Sequence, residues 1–269
     1  MADRLCLPQE AKNERPLHDD VGSGMKLIGV CAATRWELNA IRRAILNRRQ
    51  IGVRRITGRR GGCDVIGVRT GVGIAKAKEA CRTLFNGMRP DLIISCGFAC
   101  ALGPSGIGDL LIGSDVMMEK PNGDAQTKDA WRCDPHVLEA ARRAAEAGGM
   151  AVRSGRFVTV PRVLWRADDK RRIAVKTGAV GLDMESAAIG EVAAERGVPF
   201  AVIRTVSDLL DEDLPLDFNL FLNPIDWPMG TLACLTRPSS LLGLTRLRAQ
   251  AAMASDRLTI FFRRFLDDL

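Results

Sequence analysis

Residues 178–213, GAVGLDMESAAIGEVAAERGVPFAVIRTVSDLLDED, constrain the fold more than any other stretch. Two short apolar runs, Ala179–Met184 and Phe200–Val206, read as buried strands. Between them Glu185–Arg196 has a helical pattern, and Gly197-Val198-Pro199 makes a tight turn. Strand, helix and strand in that order predict a βαβ unit with parallel strands. Both strands would then end at one sheet edge, where open α/β proteins bind ligands. The residues delivered there are Met184 and Glu185 from the first strand and Ser207 and Asp208 from the second. Two carboxylates at neighbouring strand ends are the sharpest chemical signal in the chain.

The 269 residues are enough for one large domain with a deep core. Apolar residues make up 46% and charged residues 26%, as in ordinary globular chains. No apolar run approaches the roughly 18 residues that a membrane span requires. The amino end lacks a charged-then-apolar signal pattern, so the cytoplasm is the expected location. Eight cysteines without a CxxC pair are expected to stay reduced and packed, and with only two histidines no metal site is expected. So few histidines also leave acid–base chemistry to carboxylates. A formal charge of +7 is compatible with an anionic ligand or surface, but aromatics at 5% and no tyrosine argue against nucleic acid.

Along the chain, residues 1–24 read as a flexible leader, broken by Pro8, Pro16, Gly22 and Gly24. Residues 25–213 carry the strand and helix patterns of the main domain. Lys26–Thr34 predicts a first strand and Arg35–Leu46 a helix, with Glu37 on its first turn. Glu37 is either a carboxylate serving the helix dipole or a base at the ligand edge. Val53–Thr57 and Cys63–Arg69 predict a hairpin. Thr70-Gly71-Val72-Gly73 then turns tightly into a helix from Ile74, as half of a dinucleotide fingerprint, with Lys76 at the third glycine position. Asp91–Cys96 predicts a buried strand ending in the small-residue turn Gly97–Cys100. Lys120–Asp129 and residues 215–237 read as loop. Residues 168–176 predict a basic helix. In the extension 214–269, Leu244, Leu247, Ala251, Ala254, Leu258, Phe261 and Phe265 repeat at steps of three and four. That makes one apolar stripe on a long helix from Pro238 to Phe265, flanked by Arg246, Arg248, Arg257, Arg263 and Arg264. The stripe either packs on the core or a partner subunit, or lies on a membrane surface.

Taken together, MKLIGV with WE, TGVG, the SCG turn, LDMESAAI and VIRTVSD resemble the nucleoside phosphorylase/nucleosidase superfamily, over residues 25–213. Within it they are most similar to methylthioadenosine/S-adenosylhomocysteine nucleosidases. The LP at 214–215 and RPSSLLGLTRLRAQ at 237–250 resemble the carboxyl end of bacterial hopanoid-associated phosphorylases. The resemblance implies a single α/β domain with a mixed, mostly parallel central sheet flanked by helices, plus the added carboxyl-terminal helix. It implies adenine release from an adenosyl nucleoside, with adenosylhopane the substrate suggested by the tail. A homodimer and contact with a membrane surface are also implied.

Residue by residue, Asp208 matches the acid that protonates the departing purine. Such an acid must keep its proton near neutrality, which a closed apolar surround favours. Positioned acids typically contribute about 10²–10⁴ in rate. Glu185 matches the acceptor of the ribose hydroxyls, and its charge lies near the developing sugar cation. Met184 would pack against the sugar, Phe157 and Val158 would line the base, and Ser207, beside the acid in the SD pair, would belong to the substrate-binding set. Glu37 matches the glutamate that activates water. Ser95 and Gly97 occupy the nucleophile or phosphate position. Phosphorylases often have an arginine three residues before that serine; here it is Leu92, leaving Arg35 or Arg69 as substitutes. Water and inorganic phosphate both remain possible acceptors, and no other cofactor is implied.

Overall fold

The computed structural model describes residues 26–119, 130–221 and 238–269. In it the two strands of the central stretch, β9 (Gly181–Asp183) and β10 (Phe200–Asp208), do not pair with each other. They flank β5 (Leu92–Ala101), with β10 parallel to it and β9 antiparallel. The expected βαβ unit of adjacent parallel strands is therefore replaced by two strands on opposite sides of a shared neighbour. Their chemistry still converges, because Leu182 and Asp208 both stand opposite Cys100 near the end of β5.

Two further strands, β6 (Leu110–Met118) and β8 (Val152–Thr159), complete a closed ring. β10 pairs with β6, β6 with β8, β8 with β9, and β9 returns to β5. Closure leaves these strands with no free edge on that side. On the same edge of β5 as β9, but along its first half, come β1 (Lys26–Ala32) and β4 (Cys63–Arg69), both parallel, then β3 (Arg55–Arg60) and β2 (Leu46–Ile51), antiparallel. A short β7 (Trp131–Arg132) pairs with β6. The sheet is mixed, with four parallel strands at its centre. The β2 strand, LNRRQI, was not legible in the sequence. It is an edge strand with five of its six residues exposed, so it has neither alternation nor an apolar run to mark it.

Among the described residues, six α-helices flank the sheet: α1 (Arg35–Ala44), α2 (Ile74–Thr83), α3 (Pro135–Ala147), α4 (Ala167–Thr177), α5 (Ser186–Glu195) and α6 (Pro238–Asp267). Their start signals are local. Thr34 and Glu37 form a reciprocal capping box on α1, and Asp134 caps α3 ahead of Pro135. The stripe on α6 is used internally. Ala254, Leu258, Phe261, Phe262, Phe265 and Leu266 are all wholly buried, in one core cluster with Ile41, Ala44 and Ile203 or beside it. Phe261 and Phe265 stack with ring centroids 5.2 Å apart, and Phe262 meets Phe261 edge-on at 5.3 Å. The second half of the stripe thus packs on the core. Residues 1–24, the loop 120–129 and most of 215–237 lie outside the described residues.

Candidate active site

Arg204 is the node on which five elements meet. It sits mid-strand in β10, and its side chain is only 1% exposed. A buried guanidinium is tolerated only when it is paired and hydrogen-bonded. Its Nη2 lies 3.0 Å from Asp183 Oδ2 on β9 and 3.7 Å from Glu185 Oε2 at the start of α5. Its Nη1 lies 3.8 Å from Glu37 Oε1 on α1. The same group donates to Ser95 Oγ at 2.9 Å, Ser186 Oγ at 3.1 Å and the Phe98 carbonyl at 3.2 Å. Three carboxylates therefore surround one cation.

Asp183 anchors this network. It accepts hydrogen bonds from Thr159 Oγ1 at 2.7 Å and from the backbone N–H groups of Glu185 and Ser186 at 3.2 and 3.1 Å, and also from Ser186 Oγ. It thereby satisfies the first N–H groups of α5 and fixes where Glu185 points. The Glu185 carboxylate accepts the Gly73 N–H at 2.9 Å, so the TGVG turn delivers its backbone to a protein carboxylate. Burial pushes the Glu185 carboxyl up to about 7; Arg204 opposes this, Asp183 and Glu37 add to it, and the Gly73 N–H opposes it.

Glu37 resolves the two readings of its position by serving both. Its Oε2 accepts the Thr34 N–H of the capping box at 2.6 Å, while Oε1 accepts the Phe98 N–H at 2.8 Å. The residue is buried, faces Arg204, and retains a further lone pair on each oxygen. Gly97 is required beside it. Its φ is +154°, and a Cβ there would overlap Glu37 Oε1 and crowd Arg204 Nη1. Gly97–Cys100 do not form the turn expected after Cys96; β5 runs on through them to Ala101. Continuing β5 lets β10 and β9 both hydrogen-bond to it.

Asp208 lies at the end of β10, past a register shift after Val206. Ser207, half-buried, donates from Oγ to Asp208 Oδ1 at 3.2 Å. The surround is not the apolar one expected. Lys170 Nζ from α4, fully buried, lies 3.0 Å from Asp208 Oδ2. Cys100 is the other close neighbour; burial first, and then the Asp208 charge, push its thiol well above the usual range. Met184 packs half-buried in the small cluster of Cys100, Leu182 and Leu210.

Not every expected residue faces this cluster. Phe157 and Val158 are wholly buried, Phe157 in the core with Leu111 and Val202 and Val158 beside Cys100 and Leu182. Ser95 is also wholly buried, its Oγ held by Ser186 Oγ at 2.8 Å and by Arg204. The cation beside Ser95 is Arg204, not Arg35 or Arg69; Arg35 is exposed on α1. Asp183, Ser186, Arg204 and Lys170 were not singled out from sequence. A usable signal existed for two of them, Asp183 and Arg204: an ionisable residue inside an apolar run, as in GLDM and FAVIRTV, must find a buried partner. Lys170 carried no such mark, because it sits in a run of basic residues.

The phosphorylase superfamily model matches residues 27–224. The chain belongs to this superfamily. It is an enzyme of glycosyl-bond cleavage. The 5'-methylthioadenosine/S-adenosylhomocysteine nucleosidase of Staphylococcus saprophyticus is 28% identical over 212 residues, covering 73% of this chain and 92% of the relative. The corresponding Staphylococcus aureus nucleosidase is 25% identical with the same coverage. Among solved structures, the nucleosidase of Neisseria meningitidis in complex with methylthio-immucillin-A superposes with a TM-score of 0.65 at 22% identity. It covers 89% of this chain and 99% of its own. The futalosine hydrolase of Helicobacter pylori superposes with a TM-score of 0.69 at 16% identity, over 91% of this chain and 99% of its own. These structures share the fold of this chain.

Chemically, the cluster offers carboxylates at two depths. Glu37, Asp183 and Glu185 place negative charge around Arg204, where a cationic, oxocarbenium-like sugar would be stabilised. Asp208 stands apart from them, across the end of β5, as a separate acid.

Proposed function

We propose that this chain hydrolyses the purine N-glycosidic bond of an adenosyl nucleoside and releases adenine. Asp208 protonates the leaving base, Glu185 accepts the ribose hydroxyls, and Glu37 takes a proton from the attacking water. The observation that carries the reading is the ring of Glu37, Asp183 and Glu185 about Arg204, at 3.0 to 3.8 Å. A ring of three carboxylates and one guanidinium favours a developing cation. It also disfavours a phosphate anion, because Arg204 is already engaged by carboxylates. Water is therefore the acceptor in this proposal, and phosphate is the alternative. The names of the two Staphylococcus relatives, both nucleosidases, support the same acceptor.

The preferred substrate we propose is adenosylhopane, on the resemblance of residues 214–215 and 237–250 to hopanoid-associated enzymes. A second reading, methylthioadenosine/S-adenosylhomocysteine cleavage, is favoured by the relatives themselves. The purified protein should release adenine from adenosylhopane without added phosphate, and the sugar product should be the free ribosyl compound. Efficient cleavage of methylthioadenosine with no adenine from adenosylhopane would transfer the assignment to the second reading. A phosphoribosyl product would reverse the choice of acceptor. The same family reading makes the chain at least a homodimer. The distal apolar face of α6 is taken up by the core, so it is not the face proposed for contact with a bilayer.

A further inference from the structure

We propose that the β2–β3 hairpin and the end of α1 form a surface that docks this protein on an anionic lipid bilayer. These residues are separate from the cluster around Arg204 and from Asp208. Residues 42–60, RRAILNRRQIGVRRITGRR, hold eight arginines and no acidic residue. Their formal charge of +8 exceeds the +7 of the whole chain, so the remaining residues sum to −1. The basic character of the protein is therefore local.

The fold gathers that charge on one edge. β2 ends the sheet, and among the described residues no strand pairs with its outer side. Arg42, Arg43, Arg48, Arg49, Arg54 and Arg59 are all exposed. Arg48 donates to the Arg42 carbonyl at 3.3 Å, which joins β2 to the end of α1. Carboxylates answer part of the set: Arg43 meets Asp256 and Arg59 meets Asp64, each at 2.6 Å, and Arg60 meets Asp267 at 2.7 Å. Among the described residues, none is in ion-pair contact with Arg42, Arg48 or Arg54. Two aliphatic side chains stand between the arginines and face solvent. Leu46 at the start of β2 is 60% exposed, and Val53 in the turn is 81% exposed.

An edge strand is kept from pairing by one or two charges, and that need does not account for the exposed aliphatics. A bilayer accounts for both. Arginine binds phosphate through two N–H groups at once, and aliphatic side chains beside basic ones enter the boundary between headgroups and acyl chains. A nucleic acid would match the charge, but residues 42–60 contain no aromatic residue on which a base could stack. A second copy of this chain would set arginine against arginine. The position also suits a lipid partner. Arg55 stands opposite Val68, and Val68 opposite Cys31, near the carboxyl ends of β4 and β1. The turn at Val53 is thus at the end of the sheet from which Glu37 and Gly73 reach the site. On the lipid-substrate reading this would present the substrate at the right end of the molecule; the docking itself does not depend on which nucleoside is cleaved.

Co-sedimentation of the full chain with vesicles tests this. The protein should pellet with mixed phosphatidylcholine and phosphatidylglycerol vesicles, stay in solution with phosphatidylcholine alone, and be released by raised salt. Arg48→Gln with Arg54→Gln should weaken binding ~25-fold, about fivefold for each arginine. Val53→Asp should weaken it too. Arg142→Gln with Arg143→Gln, which removes the same charge from α3, should bind as wild type does. An unchanged thermal unfolding midpoint shows each variant to be folded, so the test stands apart from the reaction. If the double variant does not fold, Arg48→Gln alone carries the comparison at about fivefold. No binding to the phosphatidylglycerol vesicles, or an equal loss in the α3 variant, would overturn the proposal. So would binding to a DNA duplex tighter than to the vesicles and insensitive to Val53→Asp, which would make the surface a nucleic-acid site.

Discussion

At the scale of the residue, the site is governed by how few cations answer its buried carboxylates. Glu185 is raised from 4.5 to about 7, so in the folded protein it keeps a proton that the unfolded chain has already lost. Its contribution to stability is present below pH 4.5 and declines as pH rises through about 7. Glu185→Gln should flatten that decline in urea titrations across the interval, while raising KM because a carboxylate acceptor for the ribose is lost. In the wild type KM should rise as pH falls below about 7, where Glu185 becomes protonated. Arg204→Met should cost about 3–5 kcal/mol of stability in the same titrations, because Asp183 and Glu37 would be left buried without their cation. A loss under about 1 kcal/mol would mean that water reaches the cluster and screens it.

At the scale of the element, α1 and α6 show how local signals are put to distant use. The capping box of Thr34 and Glu37 starts α1, yet the same Glu37 carboxylate reaches Phe98 on β5 and faces Arg204. Thr34→Ala should therefore cost about 0.5–2 kcal/mol of stability, because the Glu37 N–H loses its Oγ1 acceptor, and should leave kcat near wild type, because the Thr34 N–H that holds the Glu37 carboxylate remains. A large fall in kcat would show that the cap hydroxyl also orients the carboxylate. The stripe on α6 was readable, but not what it faced. Thr259 Oγ1 donates to the Ala40 carbonyl of α1 at 3.3 Å, and Thr205 Oγ1 of β10 donates to the Ala254 carbonyl at 3.1 Å, which seals the helix against the core. Phe261→Ala should then destabilise the whole domain by about 3–5 kcal/mol, measured by chemical denaturation. Removing residues 238–269 should abolish folding and every activity together, and cleavage of a short soluble adenosine analogue surviving that deletion would show the helix to be dispensable.

At the scale of the whole molecule, the closed ring of β5, β10, β6, β8 and β9 brings the site together from segments more than a hundred residues apart, such as Glu37 and Arg204. Among the described residues no helix is long and apolar enough to cross a membrane. Light scattering at micromolar concentration should give a particle of at least twice the 29.3 kDa chain mass, as the proposed dimer requires. A single-chain mass throughout would count against it.

The sequence alone determined the main elements, because their signals are local. Alternating or continuous apolar runs marked most strands, and a 3.6-residue apolar stripe marked the long carboxyl-terminal helix. The motifs around Glu185 and Asp208 also named the superfamily before any coordinates. Only the tertiary structure decided which strands are neighbours, since β9 and β10 are close in the chain yet separated by β5. It alone showed that Arg204 and Lys170 are the counter-ions of the site. An ion pair is a relation between positions remote in sequence. One chain records each partner's identity but not the distance between them, and that distance decides whether a charge is stabilised or stranded.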